Sequence, residues 1–267
     1  AQRELGESRM PAELNKFLLD KFDETIDKGL DFCRRHTKEP IKTTPCQQAT
    51  SVCNLFLALY LRSGITGETP VEKNSTAVVH KLFAFAYVWG MGGSIRADDS
   101  ERFGEFCEEV LDGVNFGRSG VHGGYVSTPG EGGTESAGEF RKWETIIQPF
   151  HYEKTMPYVS LVVPTLDTTR YGFMMQCYFD IMKPCFFTGL TGTGKTVVAN
   201  DLLSQWSKSP EEGGRNVVPI PITFSGQTSS KLVQLTIEAK FEKKRKDLLG
   251  PPVGKKIAIF VDDVNMP

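Results

Sequence analysis

The segment that most constrains the fold is 189–196, Gly-Leu-Thr-Gly-Thr-Gly-Lys-Thr, which matches the phosphate-binding pattern GxxxxGK[ST]. A short apolar run, 185–188, precedes it, and an apolar helical pattern follows over 195–206. Strand, loop and helix in this order are the setting that the motif requires, which argues against a chance glycine turn. In such a loop the glycines let backbone N–H groups surround a phosphate at a helix N-terminus. Lys195 is predicted to reach the β and γ phosphates, and Thr196 to offer its hydroxyl to Mg²⁺.

A second motif, which is acidic, begins 67 residues after Lys195, where the apolar run 257–261 ends in Asp262 and Asp263. A continuous apolar run is typical of a parallel strand buried on both faces, and ligands bind at the carboxyl ends of such strands. Asp262 is therefore predicted to hold the water shell of Mg²⁺. Asp263 is predicted to act as a catalytic base or to orient water, although two acids after a strand can also form an ordinary turn. No DxxG follows the strand predicted at 257–261, and no NKxD is present in the residues given, so ATP is favoured over GTP.

The periodicity along the chain predicts two kinds of structure. Residues 12–112 show helical spacing, with a proline in the first turn of a helix capped by Thr44 and closed by Gly64, and a capping box at 69–72. Residues 113–138 contain nine glycines and predict a flexible surface loop. The remaining pattern predicts an α/β fold with a parallel sheet. Its strands are expected at 159–163, 185–188, 217–223 and 257–261, and its helices at 167–182, 195–206 and 229–248.

Charge and cysteine content limit the possible partners. Thirty-one Lys and Arg stand against 33 Asp and Glu, so no broad basic field indicates nucleic acid. The longest apolar stretch, 82–93, is too short for the ~20 residues of a membrane span and predicts a buried helix. Six cysteines without a CxxC pair favour reduced thiols and a cytosolic protein. Four weak zinc-ligand candidates (Cys33, His36, Cys46 and Cys53) are better interpreted as ordinary buried groups, and the basic run 243–246 as a solvated helix face.

Several motifs in the same order resemble the third AAA+ module of a dynein heavy chain. They are 162–171 (VVPTLDTTRY), 189–196 (GLTGTGKT), 224–228 (FSGQT), 250–252 (GPP) and 261–267 (VDDVNMP). The DDVNMP ending is similar to axonemal dyneins. The resemblance implies the following division: 1–64, the lid-like end of the preceding module; 65–112, a helical lead-in; 113–140, the glycine-rich loop; 141–267, a P-loop ATP-binding core that ends after its Walker B strand.

The resemblance also implies site residues and partners. Pro164 and Thr165 would lie near the adenine. The nucleotide-binding set would comprise Pro164, Thr165, Gly189, Leu190, Thr191, Gly192, Thr193, Gly194, Lys195, Thr196 and Val197, with Thr196 and Asp262 on Mg²⁺ and with Lys195 and Asp263 in catalysis. Expected partners are other AAA+ modules of the same heavy chain, dynein intermediate and light chains, and microtubules through a stalk that lies elsewhere. The expected location is the cytoplasm and cytoskeleton, in the axoneme of a cilium or flagellum.

Two departures from the family pattern shape the expected activity. AAA+ enzymes generally place Glu where this chain has Asp263, and the shorter carboxylate favours slow turnover or binding without turnover. In the AAA+ family that this chain resembles, the strands of the sheet lie in the order 5-1-4-3-2. The strand between the Walker A and Walker B strands would therefore follow residue 267. We therefore expect this segment alone to be unstable and to hydrolyse no ATP. The function implied by the resemblance is that of an ATP-binding segment of an axonemal dynein motor ring, whose intact chain hydrolyses ATP. A nucleotide-dependent scaffold is the alternative function. An unrelated P-loop kinase would need an acceptor site, which the sequence does not indicate.

Overall fold

The computed structural model describes residues 10–65, 75–117, 119–129, 138–150, 162–190 and 192–265. The chain divides into two compact units. The first comprises Ala1–His151 and Pro164–Thr191, and the second comprises Tyr152–Val163 and Gly192–Pro267. Helices dominate the first unit, and the second alternates helices and strands around a parallel pair, so the predicted α/β class with a preceding helical region is confirmed.

Five long helices are described in the first unit. They are α1 (Ala12–His36), α2 (Pro45–Arg62), α3 (Ser75–Gly92), α4 (Ser100–Val110) and α5 (Leu166–Asp180). The start of α2 is as predicted: the Thr44 hydroxyl accepts a hydrogen bond from Gln47 N–H, and the Gln47 side chain accepts one from Thr44 N–H. Its end is marked by Gly64 at φ +73°. The predicted capping box at 69–72 lies outside the described residues.

Helix α3 forms the centre of the first unit. Residues 82–88 of this helix are at most 1% exposed, and α3 packs against α1, α2 and α4. A helix that is apolar on all sides is stable in water only when neighbouring elements surround it. The prediction of a buried helix over 82–93 is therefore confirmed up to Gly92, where α3 ends. No helix in the described part of the chain is both long and apolar enough to cross a membrane.

The glycine-rich region contains a short sheet, so its prediction as a surface loop is wrong for these residues. Strand β1 (Gly124–Val126) pairs antiparallel with β2 (Phe140–Lys142), and Tyr125 and Val126 are fully buried. A Cβ atom at Gly124 would lie 2.7 Å from the carbonyl oxygen of Arg141. Here glycine permits close approach of two backbones, whereas the sequence pattern was interpreted as flexibility.

The second unit contains α6 (Lys195–Ser207), β3 (Val217–Thr223), α7 (Ser230–Glu238), β4 (Glu242–Arg245), β5 (Leu248–Gly250) and β6 (Lys256–Asp262). Strands β3 and β6 pair in parallel over their whole length, from Val217 opposite Lys256 to Thr223 opposite Asp262. Helix α6 packs on these strands through a buried face. That face consists of Val198, Ala199, Leu202, Leu203 and Trp206. The strands predicted at 217–223 and 257–261 and the helix predicted at 195–206 are confirmed. The prediction that 257–261 is buried on both faces is wrong, because Ile259 and Val261 are 48% and 37% exposed.

Three secondary-structure predictions need correction. The helix predicted at 229–248 ends at Glu238 and gives way to a β4–β5 hairpin, so the basic run 243–246 lies on a hairpin and not on a helix face. The strand predicted at 185–188 is wrong, because these residues belong to none of the paired strands in the described part of the chain. Of the strand predicted at 159–163, residues 162–163 are not in a strand and the rest lies outside the described residues.

Candidate functional site

Two glycines shape the end of the phosphate-loop motif where it enters α6. Gly192 has φ +83°, and Gly194, the N-cap of α6, has φ +85°. A Cβ atom at either position would meet no other atom within 4 Å. Glycine is therefore favoured here by the left-handed backbone, which costs other residues ~1–2 kcal/mol, and not by lack of space.

The N-terminus of α6 begins immediately after this turn. As α6 begins, the Val198 N–H donates to Gly194 O at 2.9 Å. The first N–H groups of any α-helix lie outside the helix's own hydrogen-bond ladder. These N–H groups and the helix dipole give this end a partial positive charge. Because the buried face of α6 fixes the helix against β3, the direction of these N–H groups is fixed too.

Lys195 and Thr193 approach each other at the same turn. Lys195 Nζ lies 3.4 Å from Thr193 Oγ1, and the lysine side chain is half-buried. The ammonium group therefore lies on the side of the motif that bears Thr193. A cation at this place adds to the positive potential of the helix end.

Thr196 is joined to the acidic motif across 66 residues of sequence. Its hydroxyl donates a hydrogen bond to Asp262 Oδ1 at 3.2 Å, and the Asp263 N–H donates to the same oxygen at 3.0 Å. The strand ladder holds Asp262 in place, because Phe224 N–H donates to Asp262 O. A hydroxyl beside a carboxylate is the kind of oxygen-donor pair that Mg²⁺ accepts together with phosphate oxygens, so these residues fit that ion.

Asp263 occupies an unusual backbone conformation. Its φ is +51°, which aspartate tolerates better than most residues, and the residue is exposed. Within the described residues, no hydrogen bond holds its carboxylate. The side chain is therefore less constrained than that of Asp262.

The remaining predicted residues are distributed over both units. Pro164 and Thr165 belong to the first unit, where the Thr165 hydroxyl accepts from Thr168 N–H and caps α5. Gly189 and Leu190 belong to that unit as well, and Leu190 is 81% exposed. Thr191 lies outside the described residues, and Val197 is a half-exposed residue of α6. The roles of these residues in binding nucleotide remain predictions.

The end of β3 borders the acidic motif, although none of the predicted site residues lies there. Thr223 is the register partner of Asp262, and the Phe224 N–H continues the ladder beside it. The sequence could have indicated this position, because the carboxyl ends of parallel strands lie at the same edge of a sheet and ligands bind at that edge.

Comparisons with known proteins place two adjacent family matches on the chain. Residues 150–267 match the family described as the P-loop containing dynein motor region, and residues 18–145 match the dynein heavy chain AAA lid domain. Dynein axonemal heavy chain 6 of Homo sapiens is 34% identical over 97% of this chain and 6% of that protein. Dynein axonemal heavy chain 3 of Mus musculus is 29% identical over 96% of this chain and 7% of that protein.

A third relative is also a dynein heavy chain. The dynein-1-alpha heavy chain of the flagellar inner arm I1 complex of Chlamydomonas reinhardtii is 29% identical over 91% of this chain and 5% of that protein. The chain thus spans only 5–7% of the length of these three relatives.

Proposed function

Since this chain belongs to the dynein heavy chain family, we propose that it is an ATP-binding segment of an axonemal dynein motor ring. Its fold is that of a P-loop AAA+ α/β module preceded by a helical region. In the intact heavy chain this segment binds ATP with Mg²⁺ and contributes to microtubule-based movement in a cilium or flagellum. Two of the named relatives are axonemal dyneins, and the third belongs to a flagellar inner arm complex, which supports this location.

The contact between Thr196 and Asp262 is the observation that carries the proposal. The motif at the start of α6 supplies the hydroxyl, and the motif at the end of β6 supplies the carboxylate, 3.2 Å away. Phosphate-loop proteins hold Mg²⁺ with this combination of a P-loop Ser or Thr and a strand-end Asp. Two predicted motifs that meet at their functional atoms are better explained by a shared ligand than by a glycine turn and an acidic turn that lie together by chance.

Each residue of the site has a defined task in the proposed reaction. Bound Mg²⁺ would neutralise charge on the β and γ phosphates. The N–H groups at the start of α6 and the Lys195 ammonium bind phosphate oxygens, while Thr196 and Asp262 hold the ion. Asp263 orients the attacking water or accepts its proton. Pro164 and Thr165 lie near the adenine in this proposal.

A nucleotide-dependent scaffold is the second candidate, and the state of Asp263 favours it. This carboxylate is one methylene shorter than the glutamate usual in AAA+ enzymes, and no described hydrogen bond directs it. A module of this kind binds ATP or ADP and sets the stiffness of the ring without turnover. The resemblance to the third module also implies a regulatory ATP site, with most hydrolysis in the first module, and this is compatible with the scaffold.

The domain division and the partners are part of the same proposal. Residues 1–64 end the second AAA+ module, 65–112 lead into the third, 113–140 connect, and 141–267 begin its ATP-binding core. Its partners are the neighbouring AAA+ modules, dynein intermediate and light chains, and microtubules through a stalk elsewhere in the heavy chain.

Nucleotide binding by the intact heavy chain tests the proposal. The number of ATP and ADP molecules bound per chain is measured by equilibrium dialysis for the parent, for Lys195→Ala and for Lys231→Ala, an exposed lysine of α7 that serves as control. The expected result is that Lys195→Ala loses one binding site and Lys231→Ala loses none. Equal binding by all three chains would contradict an ATP site in this module.

A further inference from the structure

The hairpin formed by β4 and β5 is largely exposed. Every residue of β4 is exposed, and the two strands join through a turn at Lys246 and Asp247. Leu248 and Leu249 are 53% and 47% exposed. Since adjacent residues of a strand point to opposite faces, neither face of the hairpin is fully covered by the described residues.

A two-stranded hairpin is only marginally stable in water by itself, and packing against another element stabilises it. The charges of the hairpin indicate the chemistry of the surface against which it packs. Residues 240–256 contain seven Lys and Arg against two acids. Lys244 pairs with Glu242 at 3.1 Å, whereas Lys243, Arg245 and Lys246 have no ion pair within the described residues. Basic side chains beside exposed leucines fit a surface that carries carboxylates around an apolar contact.

The edge of the hairpin argues against binding by strand addition. The register shifts between Lys243 and Arg245, which is a β-bulge, and bulges and lysines on an edge both hinder pairing with a further strand. A partner would therefore contact side chains of the hairpin and not extend its sheet.

The size of the surface favours a partner within the same polypeptide. Nine residues are too few for the ~1,000 Å² that a stable interface between separate proteins requires. A segment of the same heavy chain needs no such area, because its effective concentration is high. The chain spans 5–7% of the three relatives described above, so a dynein heavy chain has ample sequence from which such a segment could come.

We propose that the basic hairpin, 242–250, docks an acidic, leucine-bearing segment of the same heavy chain that lies outside residues 1–267. Register partners share a face, so the segment contacts both faces of the hairpin, with Lys243 and Leu249 on one face and Arg245 and Leu248 on the other, and with Lys246 at the turn. The proposal rests on membership of the heavy chain family and on this surface, and it does not depend on nucleotide binding.

Photocrosslinking in the intact heavy chain tests this docking. Benzoylphenylalanine is introduced at Asp247 in the hairpin turn, or at Lys231 on α7 as the matched control, and the crosslinked peptides are identified by mass spectrometry. Asp247 is expected to crosslink to an acidic heavy-chain peptide beyond this segment, and Lys231 is not. The double substitution Lys243→Glu with Arg245→Glu should lower the yield about tenfold, whereas Lys243→Arg with Arg245→Lys should preserve it.

High ionic strength applies the same test to the parent chain without any charge substitution, because salt screens exposed ion pairs. ATP binding should be unchanged in all these variants, which separates failure of this docking from failure of the proposed function. The proposal is overturned if the crosslinks lead to another polypeptide, to lipid or to nucleic acid. The proposal is also overturned if the crosslinking yield at Asp247 does not exceed the yield at Lys231. The same holds if neither high salt nor charge reversal lowers the yield at Asp247.

Discussion

At the residue scale, the hydroxyl of Thr196 links the phosphate-loop motif to the acidic strand. Thr196→Val removes the oxygen that donates to Asp262 at 3.2 Å, while Thr196→Ser keeps it. We expect Thr196→Val to weaken Mg²⁺-dependent ATP binding at this module about tenfold, since one hydrogen bond to a charged group is lost. Fluorescent-nucleotide titration of the intact heavy chain, with and without EDTA, provides the measurement.

Two variants give the control for this prediction. Thr196→Ser should retain most of the affinity. Thr236→Val on α7 loses a hydroxyl that donates to its own helix at Leu232 O, so it should leave nucleotide affinity unchanged. Equal affinity for Thr196→Val and the parent would show that the hydroxyl does not serve a metal ion.

His122 gives the first unit a dependence on pH. Burial, helped by the positive charge of Arg170, lowers the pKa of His122 to about 4, and its Nδ1 lies 3.3 Å from Ser100 Oγ. Between pH ~4 and ~6.5 the unfolded chain binds a proton that the folded chain does not, so stability rises with pH across this window and is constant above it.

We expect amide protection in the segment around β1 to fall as the pH drops from 6.5 toward 4. Hydrogen exchange of the intact heavy chain, corrected for intrinsic rates, measures it. In His122→Gln, which cannot be protonated, this loss should be smaller by an amount on the order of 2 kcal/mol. The same pH dependence in variant and parent would assign the effect to other groups.

At the scale of elements, the packing of α3 on α4 depends on the absence of a side chain at one glycine. A Cβ atom at Gly92 would lie 2.2 Å from the ring of Phe103, which is fully buried. Gly92→Ala should therefore destabilise this contact by ~1–3 kcal/mol through overpacking. Hydrogen exchange of α3 and α4 in the intact heavy chain should show faster opening.

Gly104→Ala on α4 is the matched substitution. Its Cβ atom would lie at an ordinary 3.5 Å from Val121, and alanine in a helix interior is favoured over glycine by ~0.5–1 kcal/mol. We expect slower exchange in α4 for this variant. Similar behaviour of the two alanine variants would mean that the close approach at Gly92 does not govern the packing.

The sequence predicted the elements whose signals are local. The cap at Thr44, the stop at Gly64 and the all-apolar pattern of α3 depend on neighbouring residues, and all three agree with the structure. The hairpin after α7 was predicted as helix, because charged residues such as Glu242 and Lys246 also favour a helix and strand pairing is not encoded locally. Buried β1 was missed for a similar reason, since close backbone approach and flexibility both select glycine.

The candidate site shows the same division between local and distant information. The motifs predicted which side chains matter, and the structure adds that Thr196 and Asp262 touch across 66 residues. The left-handed conformation of Asp263 was not predicted, because the acid pair 262–263 is compatible with a turn but does not indicate which residue adopts a positive φ. The positive φ of Asp263 arises in the folded chain, directly after the strand ladder ends at Asp262.

At the scale of the whole molecule, the two proposed functions differ in whether this module hydrolyses ATP. The answer separates the motor ATPase from the regulatory scaffold, and Asp263 is the residue on which the two functions differ. Its carboxylate is exposed and short, so we expect slow turnover that still depends on it.

Single-turnover hydrolysis is the decisive measurement, in an intact heavy chain whose other P-loop lysines are replaced so that only this module binds ATP. Asp263→Asn should lower the rate about a hundredfold if the carboxylate acts as a base, while ATP affinity stays close to that of the parent. Asp263→Glu restores the longer side chain usual in AAA+ enzymes and should raise the rate above that of the parent. If all three chains bind ATP and hydrolyse it at the same negligible rate, the module is a scaffold, because a site that needs only bound nucleotide is indifferent to the residue that directs water.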